Sequence, residues 1–289
     1  RGVGGRLRAR CPRGIRAAYT AQGPIDHTIS DMYIDGENHD TTVVALETNN
    51  TPALYTPIPS SGMFGVSTSA STFVNTANGS IGGTDTTVKP YKDIAPAYPN
   101  SPKVIELNSF PSGFPKTPDE ALELDPGTLK AIAKSGANGS HYISTLVQWS
   151  ALVSAKKPLS GVTYIELAHI KGNDTTFSHQ QLPDGSGGIL VFHCTGGGTA
   201  MWNNISFPTN TETFKGIMVF DYIFHIHMNI LGALIELTPN TEMSGNCGGN
   251  KNKTIAYCGP LITKYMNFAR GASSGGGWRG KLKMYAWYE

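Results

Sequence analysis

The sequence predicts an all-β protein of roughly eight to ten strands, enough for two packed sheets. Three observations carry that prediction. With 34 Gly and 18 Pro among 289 residues and only 15% charged side chains, the chain has the composition of a protein rich in turns and loops. Its apolar residues come in short runs bounded by Gly, Asn, Asp and Thr, as strands between turns do. No apolar run approaches the roughly 18 residues of a membrane-spanning helix, and the N-terminus lacks the apolar core of a secretory signal, so no membrane partner is expected.

Taken in order, "HTISDMYID" and "TTVVALE" flank "GENHD" and read as a hairpin. "MFGVSTSASTFV" follows, then a weakly patterned stretch from Asn75 to Ser101 that reads as a long surface or interfacial loop. "KVIEL" resumes the β pattern. In "KTPDEALELDPGTLKAIAKSG" the start signals of a helix are complete: Thr117 as cap, Pro118 at the first helical position, and Glu120 three residues after the cap. A second short helix starts at Asp125-Pro126, runs through Ala133 and is ended by Ser135 and Gly136. "HYISTLVQWSALV", "GVTYIELAHI", "GGILVFHC", "FKGIMVFDYIFHIH", "LGALIELT" and "GGWRGKLKMYAWY" read as further strands.

Charge is distributed unevenly. Arg1, Arg6, Arg8, Arg10, Arg13 and Arg16 give the first 25 residues a charge of +6, since no acid precedes Asp26. The other 17 basic side chains face all 21 acids, so residues 26–289 carry a net −4. Val3, Leu7 and Ile15 are too few for an amphipathic membrane helix, and Gly2, Gly4, Gly5, Pro12 and Gly14 break a continuous one. Such a segment suits phosphates: the guanidinium fork pairs bidentately with their oxygens, and counterion release drives binding without reading base sequence. A basic, flexible nucleic-acid-binding arm is therefore assigned to residues 1–25 and a β domain to residues 26–289. A targeting peptide fits less well, because no serine precedes Ser30.

The search for catalytic chemistry is negative, and no catalytic residue is assigned. "GASSG", Gly271 to Gly275, matches the nucleophile-elbow pattern but runs into "GGGW" where a helix is required. His225 and His227 alternate on a strand and could hold a metal with His193 or Asp221, but a polar strand face accounts for them as well. Asp31, Asp35, Glu37 and Asp40 gather around the first hairpin without EF-hand spacing; calcium is weighed there against a solvated turn, which is preferred. No metal or cofactor is predicted. Cys247 and Cys258 flank "GGNKNKTIAY" and form either a disulfide or two buried thiols. Trp149, Trp202, Trp278, Trp287 and six Asn-x-Ser/Thr sequons are what a secreted, lectin-like binding module would use.

A chain that opens "RGVGGRLRARCPRGIR" and continues as a turn-rich body of many β runs resembles the coat proteins of small icosahedral viruses. The likeness is to nodavirus-like and tombusvirus-like coats, including those of single-stranded DNA viruses with the same shell fold. It implies an eight-stranded antiparallel jelly-roll sandwich with one or two short helices in its connections. It also implies a virion protein, assembled inside the host cell, whose partners are many copies of itself, a packaged single-stranded RNA or DNA and a host surface receptor. Calcium at subunit interfaces is compatible with the likeness. Nodavirus-type and tetravirus-type coats cleave themselves after an Asn near the C-terminus, and in "YMNFARG" Asn267 precedes Phe268, although 22 residues are fewer than that family releases and no assisting aspartate can be assigned.

Overall fold

The computed structural model describes residues 12, 14–23, 25–27, 32–46, 53–71, 73–75, 80–83, 89–90, 104–166, 176–194, 200–209, 212–223, 225–238, 242–243 and 253–273. The chain enters at β1 (Ala17–Ala21), passes β2 (Ile25–His27) into β3 (Met32–Asp35), and departs as an antiparallel hairpin of β4 (Glu37–Ala45) and β5 (Leu54–Gly62). It returns through β6 (Phe64–Thr68), β7 (Phe73–Asn75), β8 (Ser80–Gly82), β9 (Lys89–Pro90) and β10 (Ile105–Glu106). Helices α1 (Pro118–Ala121) and α2 (Thr128–Ser135) lead to β11 (His141–Ile143) and α3 (Leu146–Ser154). Next come β12 (Val162–Ile165), β13 (Thr176–Ser178), β14 (Gly187–Phe192), β15 (Met201–Asn203) and β16 (Ile205–Ser206). The rest is β17 (Thr213–Phe220), β18 (Tyr222–Ile223), β19 (Ile226–His227), β20 (Asn229–Glu236), β21 (Glu242–Met243), β22 (Lys253–Tyr257) and helix α4 (Gly259–Ser273).

Pairing turns this series into a solenoid. β12, β14, β17 and β20 lie side by side, parallel and in register, so that Ile165 opposes Phe192, Phe192 opposes Phe220, and Phe220 opposes Glu236. Between successive members the chain gives one strand to a second parallel sheet, β13-β15-β18, and a short piece to a third, β16-β19, which Gln181 extends through a bridge to Ser206. Each coil therefore lies on the one before it.

The rung after β20 is built from two distant parts of the chain. β22 pairs with the first half of β20, Ile230 opposite Ile255, while β1 pairs with its second half, Tyr19 opposite Leu234. The split persists, with β3 beside β22 and β6 beside β1, then β8 beside β3 and β10 beside β6. β21-β2-β7 continues the second face. Among the described residues the main sheet has twelve strands, and its one antiparallel ladder joins β8 to β9.

This corrects the expected antiparallel jelly roll. The physical reason lies in the strands themselves: "GGILVF" and "NILGALIE" are apolar almost throughout and buried on both faces, as parallel strands covered from two sides must be, whereas a sandwich strand keeps one polar face. On one side Phe192 and Phe220 meet Phe177 and Trp202 of the second sheet, with Trp149 of α3 against them. On the other, Leu231 and Ala256 pack with Leu261 of α4 and with Ala53 and Tyr55 at the hairpin.

A glycine column keeps the rungs close. A Cβ at Gly188 would lie 2.4 Å from the Gly161 carbonyl oxygen, one at Gly216 1.9 Å from that of Gly188, and one at Gly232 1.8 Å from that of Gly216. All four glycines have positive φ.

Several local expectations are also revised. "GENHD" is no turn: Gly36 separates β3 from β4, and the partner of β4 is β5. "HYISTLVQWSALV" is strand only as far as Ile143, because the Thr145 side chain accepts from Gln148 N at 3.2 Å and caps α3. At α1, Thr117 caps Glu120 N with Pro118 in the first turn, and Gly136 ends α2 in the left-handed conformation. Within Asn75–Ser101, the described residues are Asn75 at the end of β7, β8 with Gly83, and β9; the others lie outside the described residues, as does "GGWRGKLKMYAWY".

Candidate functional site

Arg1, Arg6, Arg8, Arg10 and Arg13 lie outside the described residues. From Gly14 onward the chain belongs to the folded body. Gly14 N donates to Ala121 O at 3.1 Å, and a Cβ at Gly14 would sit 2.3 Å from that oxygen, so only glycine allows the chain to pass so close to the end of α1. β1 is buried along its whole length. Arg16 is bound within the body: its Nε donates to Glu106 Oε2 at 2.7 Å, its Nη2 donates to Oε1, and its guanidinium lies 5.6 Å from the Phe110 ring centroid. Ser67 Oγ donates to the same carboxylate at 2.8 Å. The hydrogen bonds that Arg16 donates to Glu106 raise its pKa against the opposing effect of burial. Arg16 thus anchors the arm at the β6–β10 rung, and five arginines remain upstream of it.

At the carboxyl ends of the central strands stands a line of buried acids, each with partners. Glu166 accepts from Tyr142 Oη at 2.6 Å and pairs with Lys130 Nζ at 2.5 Å. Burial and that carboxylate push the Tyr142 hydroxyl up to about 12. Asp221 holds His193 Nδ1 at 2.6 Å through Oδ1, while its Oδ2 accepts from Cys194 N at 2.7 Å and Ala200 N at 3.2 Å. These bonds hold together the two ends of the 195–199 connection, and with its hydrogen bonds in place Asp221 reads as a support of the chain.

His193 is therefore committed to Asp221 rather than to His225 and His227. The latter rings stand 6.0 Å apart, and His227 Nε2 is 2.7 Å from Asn204 Oδ1. Burial and the neighbouring His225 and His179 lower the His227 pKa. Cys258 has a buried free thiol, pushed up to about 11 by burial, and Cys247 lies outside the described residues. Asn267 and Phe268 sit inside α4, Asn267 exposed and Phe268 half-buried, so their peptide bond is in helical backbone. The described part of "GASSG", residues 271–273, is the end of that helix, so no strand-to-helix elbow is formed there.

The first-hairpin acids divide. Asp31 lies outside the described residues, and Asp40 accepts from Thr42 N at 2.7 Å as a turn-type contact. Asp35 and Glu37 instead converge with His39, which the reading of the sequence passed over. One ligating atom from each of the three lies within 4.8 Å of the other two. Asp35 and His39 are buried, and the group lines a cavity of about 190 Å³ together with Tyr33 and Tyr55. Burial raises the Asp35 pKa, with His39 opposing, and burial and then Asp35 raise that of Glu37. The legible signal was the D-x-E-x-H spacing, which puts three side chains on one face of an extended chain.

Comparison with protein-family models, with curated proteins and with solved structures gave no match.

Proposed function

We propose that the protein is a structural shell subunit that assembles with copies of itself and binds a packaged single-stranded nucleic acid through its N-terminal arginines. The observation that carries this reading is the separation of charge: six arginines without an acid in the first 25 residues, against a net −4 over the rest. Packaged nucleic acid brings about one negative charge per nucleotide, so each subunit must offer cations on one side, while a weakly charged body lets identical surfaces meet without strong repulsion. The anchoring of Arg16 supports a tether rather than a loose end, since it fixes the point from which the arm leaves a rigid body. The β4–β5 hairpin supports self-association, because it exposes Val43, Val44, Leu46 and Leu54.

The rival binding-module reading loses two of its four tryptophans, since Trp149 and Trp202 are buried in the aromatic core. The buried acids beside His193 are held by internal partners, which favours a structural role over an enzymatic one.

Negative-stain microscopy of the purified full-length chain, with and without single-stranded nucleic acid, tests the proposal. Closed particles of uniform size are the expected result. A chain that stays monomeric at high concentration with nucleic acid present overturns it.

A further inference from the structure

We propose that Asp35, Glu37 and His39 form a binding site for a divalent transition-metal ion of the Zn²⁺ class. The inference is independent of the shell reading and rests on how three acceptors are brought together. The three residues alternate along the extended chain from β3 into β4, so their side chains leave one face. Gly36 permits this path, because a Cβ there would lie 2.4 Å from the carbonyl oxygens of Met63 and Phe64.

His39 Nδ1 lies 3.2 Å from the Tyr257 carbonyl oxygen, which can only accept, so the proton of the neutral ring sits on Nδ1 and the lone pair of Nε2 points at the carboxylates. The side chain is 5% exposed, and Nε2 faces Asp35 Oδ2 at 3.4 Å, an ion pair only when the ring is protonated. Asp35 Oδ1 accepts from Glu37 N at 2.9 Å and the Tyr33 hydroxyl is also hydrogen-bonded to this carboxylate, while Oδ2 faces His39 Nε2.

The imidazole lone pair and the two carboxylates face one another as acceptors, with the Tyr33 hydroxyl hydrogen-bonded to Asp35 at their edge, and a cation would bridge them. Two donors each about 2.0 to 2.1 Å from one tetrahedral ion stand roughly 3.3 Å apart, which is the spacing seen between Nε2 and Oδ2. Two carboxylates and one neutral imidazole also balance a 2+ charge. One nitrogen and two oxygens suit Zn²⁺ better than Ca²⁺, which takes six to eight oxygen ligands. The Tyr257 carbonyl then does what outer partners of metal-bound histidines usually do, fixing tautomer and ring orientation. Since Tyr257 belongs to β22 and the ligands to β3 and β4, the ion would fasten the hairpin to the rung where the two ends of the chain meet.

The test is isothermal titration of chelator-treated full-length protein with ZnCl2 and, separately, CaCl2, repeated on Asp35→Asn, Glu37→Gln and His39→Gln. Zinc is expected to bind and to raise the thermal midpoint, and the variants are expected to bind at least about tenfold more weakly. Cobalt substitution separates this site from the cysteines, because an oxygen and nitrogen site gives d–d bands without thiolate charge transfer. Should the buried Asp35 or His39 variant fail to fold by circular dichroism, Glu37→Gln, at a partly exposed position, decides alone. Undiminished zinc affinity in the folded variants, thiolate charge transfer, or a midpoint that responds to calcium and not to zinc overturns the proposal.

Discussion

At the scale of single residues, the fold keeps an acid where an apolar side chain would be expected. Glu236 ends the apolar β20, is 2% exposed, and accepts from Tyr19 Oη at 2.5 Å and from Ile223 N at 2.9 Å. Burial, partly offset by those two bonds, pushes its pKa up to about 7 from the ordinary 4.5. An acid whose folded pKa is raised holds its proton more tightly in the native state, so its contribution to stability is complete below pH 4.5 and is lost as pH rises toward 7. The loss is on the order of 3 kcal/mol. Glu236→Gln keeps an acceptor for Ile223 N and carries no charge to desolvate. Urea unfolding of this variant is expected to show little change in stability between pH 5 and 8, with a gain over the parent at pH 8; an unchanged slope with pH would contradict the assignment. Nothing in the sequence marks Glu236 as buried, because "LGALIELT" reads equally well with that carboxylate turned to water. The D-x-E-x-H spacing is legible in the sequence, whereas the cavity onto which the three side chains converge is set by the β4–β5 hairpin and β22.

At the scale of elements, the sequence held a repeat that shows the architecture. "GVTYI", "GILVF", "GIMVF" and "GALIE" each begin with a glycine of the close-packed column, at Gly161, Gly188, Gly216 and Gly232, and each continues into one strand of the main sheet. Read as independent strands, they suggest a sandwich; read as a repeat, they predict stacked coils. Their unequal separation along the chain hides the period. The helices were more visible where local chemistry decides them, at Thr117 and Gly136, and less so at Thr145, where β-branched neighbours in "HYIST" and "TLVQWSALV" masked a T-x-x-Q cap. The repeat makes a contrast testable. Gly216→Ala puts a Cβ 1.9 Å from the Gly188 carbonyl oxygen, so the rungs must separate and soluble folded protein is expected to disappear. Gly136→Ala also suffers a positive φ, but nothing lies within 4 Å, and a loss of about 1 kcal/mol is expected. Equal thermal midpoints for the two variants would show that the stacked column does not hold the rungs together.

At the scale of the whole molecule, the rung shared by β22 and β1 means that the solenoid closes only when residues near both ends of the chain meet on β20. No local pattern announces such a closure, since β1 meets β20, and β3 meets β22, across more than two hundred residues of chain, and it places the start of the arm beside the middle of the stack rather than at a free end. Arm and body are therefore separable at a defined point. Removing residues 1–13 leaves Gly14, Arg16 and β1 in place and is expected to preserve the thermal midpoint, whereas removing residues 1–21 takes away β1, uncovers half of β20 and one edge of β6, and is expected to abolish folding. The same boundary sets the electrostatics of binding. On the shell-subunit proposal, Arg16 is held by Glu106 and the other five arginines are the ones to meet phosphates, so log K for single-stranded nucleic acid against log salt is expected to fall with a slope of roughly −3.5. Arg16→Ala should lower stability by about 1 to 2 kcal/mol, through a charge-assisted pair and its stacking on Phe110, without changing that slope. Fluorescence anisotropy over a salt series measures it: a slope that becomes shallower in Arg16→Ala, or one that survives deletion of residues 1–13, would place the nucleic-acid contacts on the folded body instead of the arm.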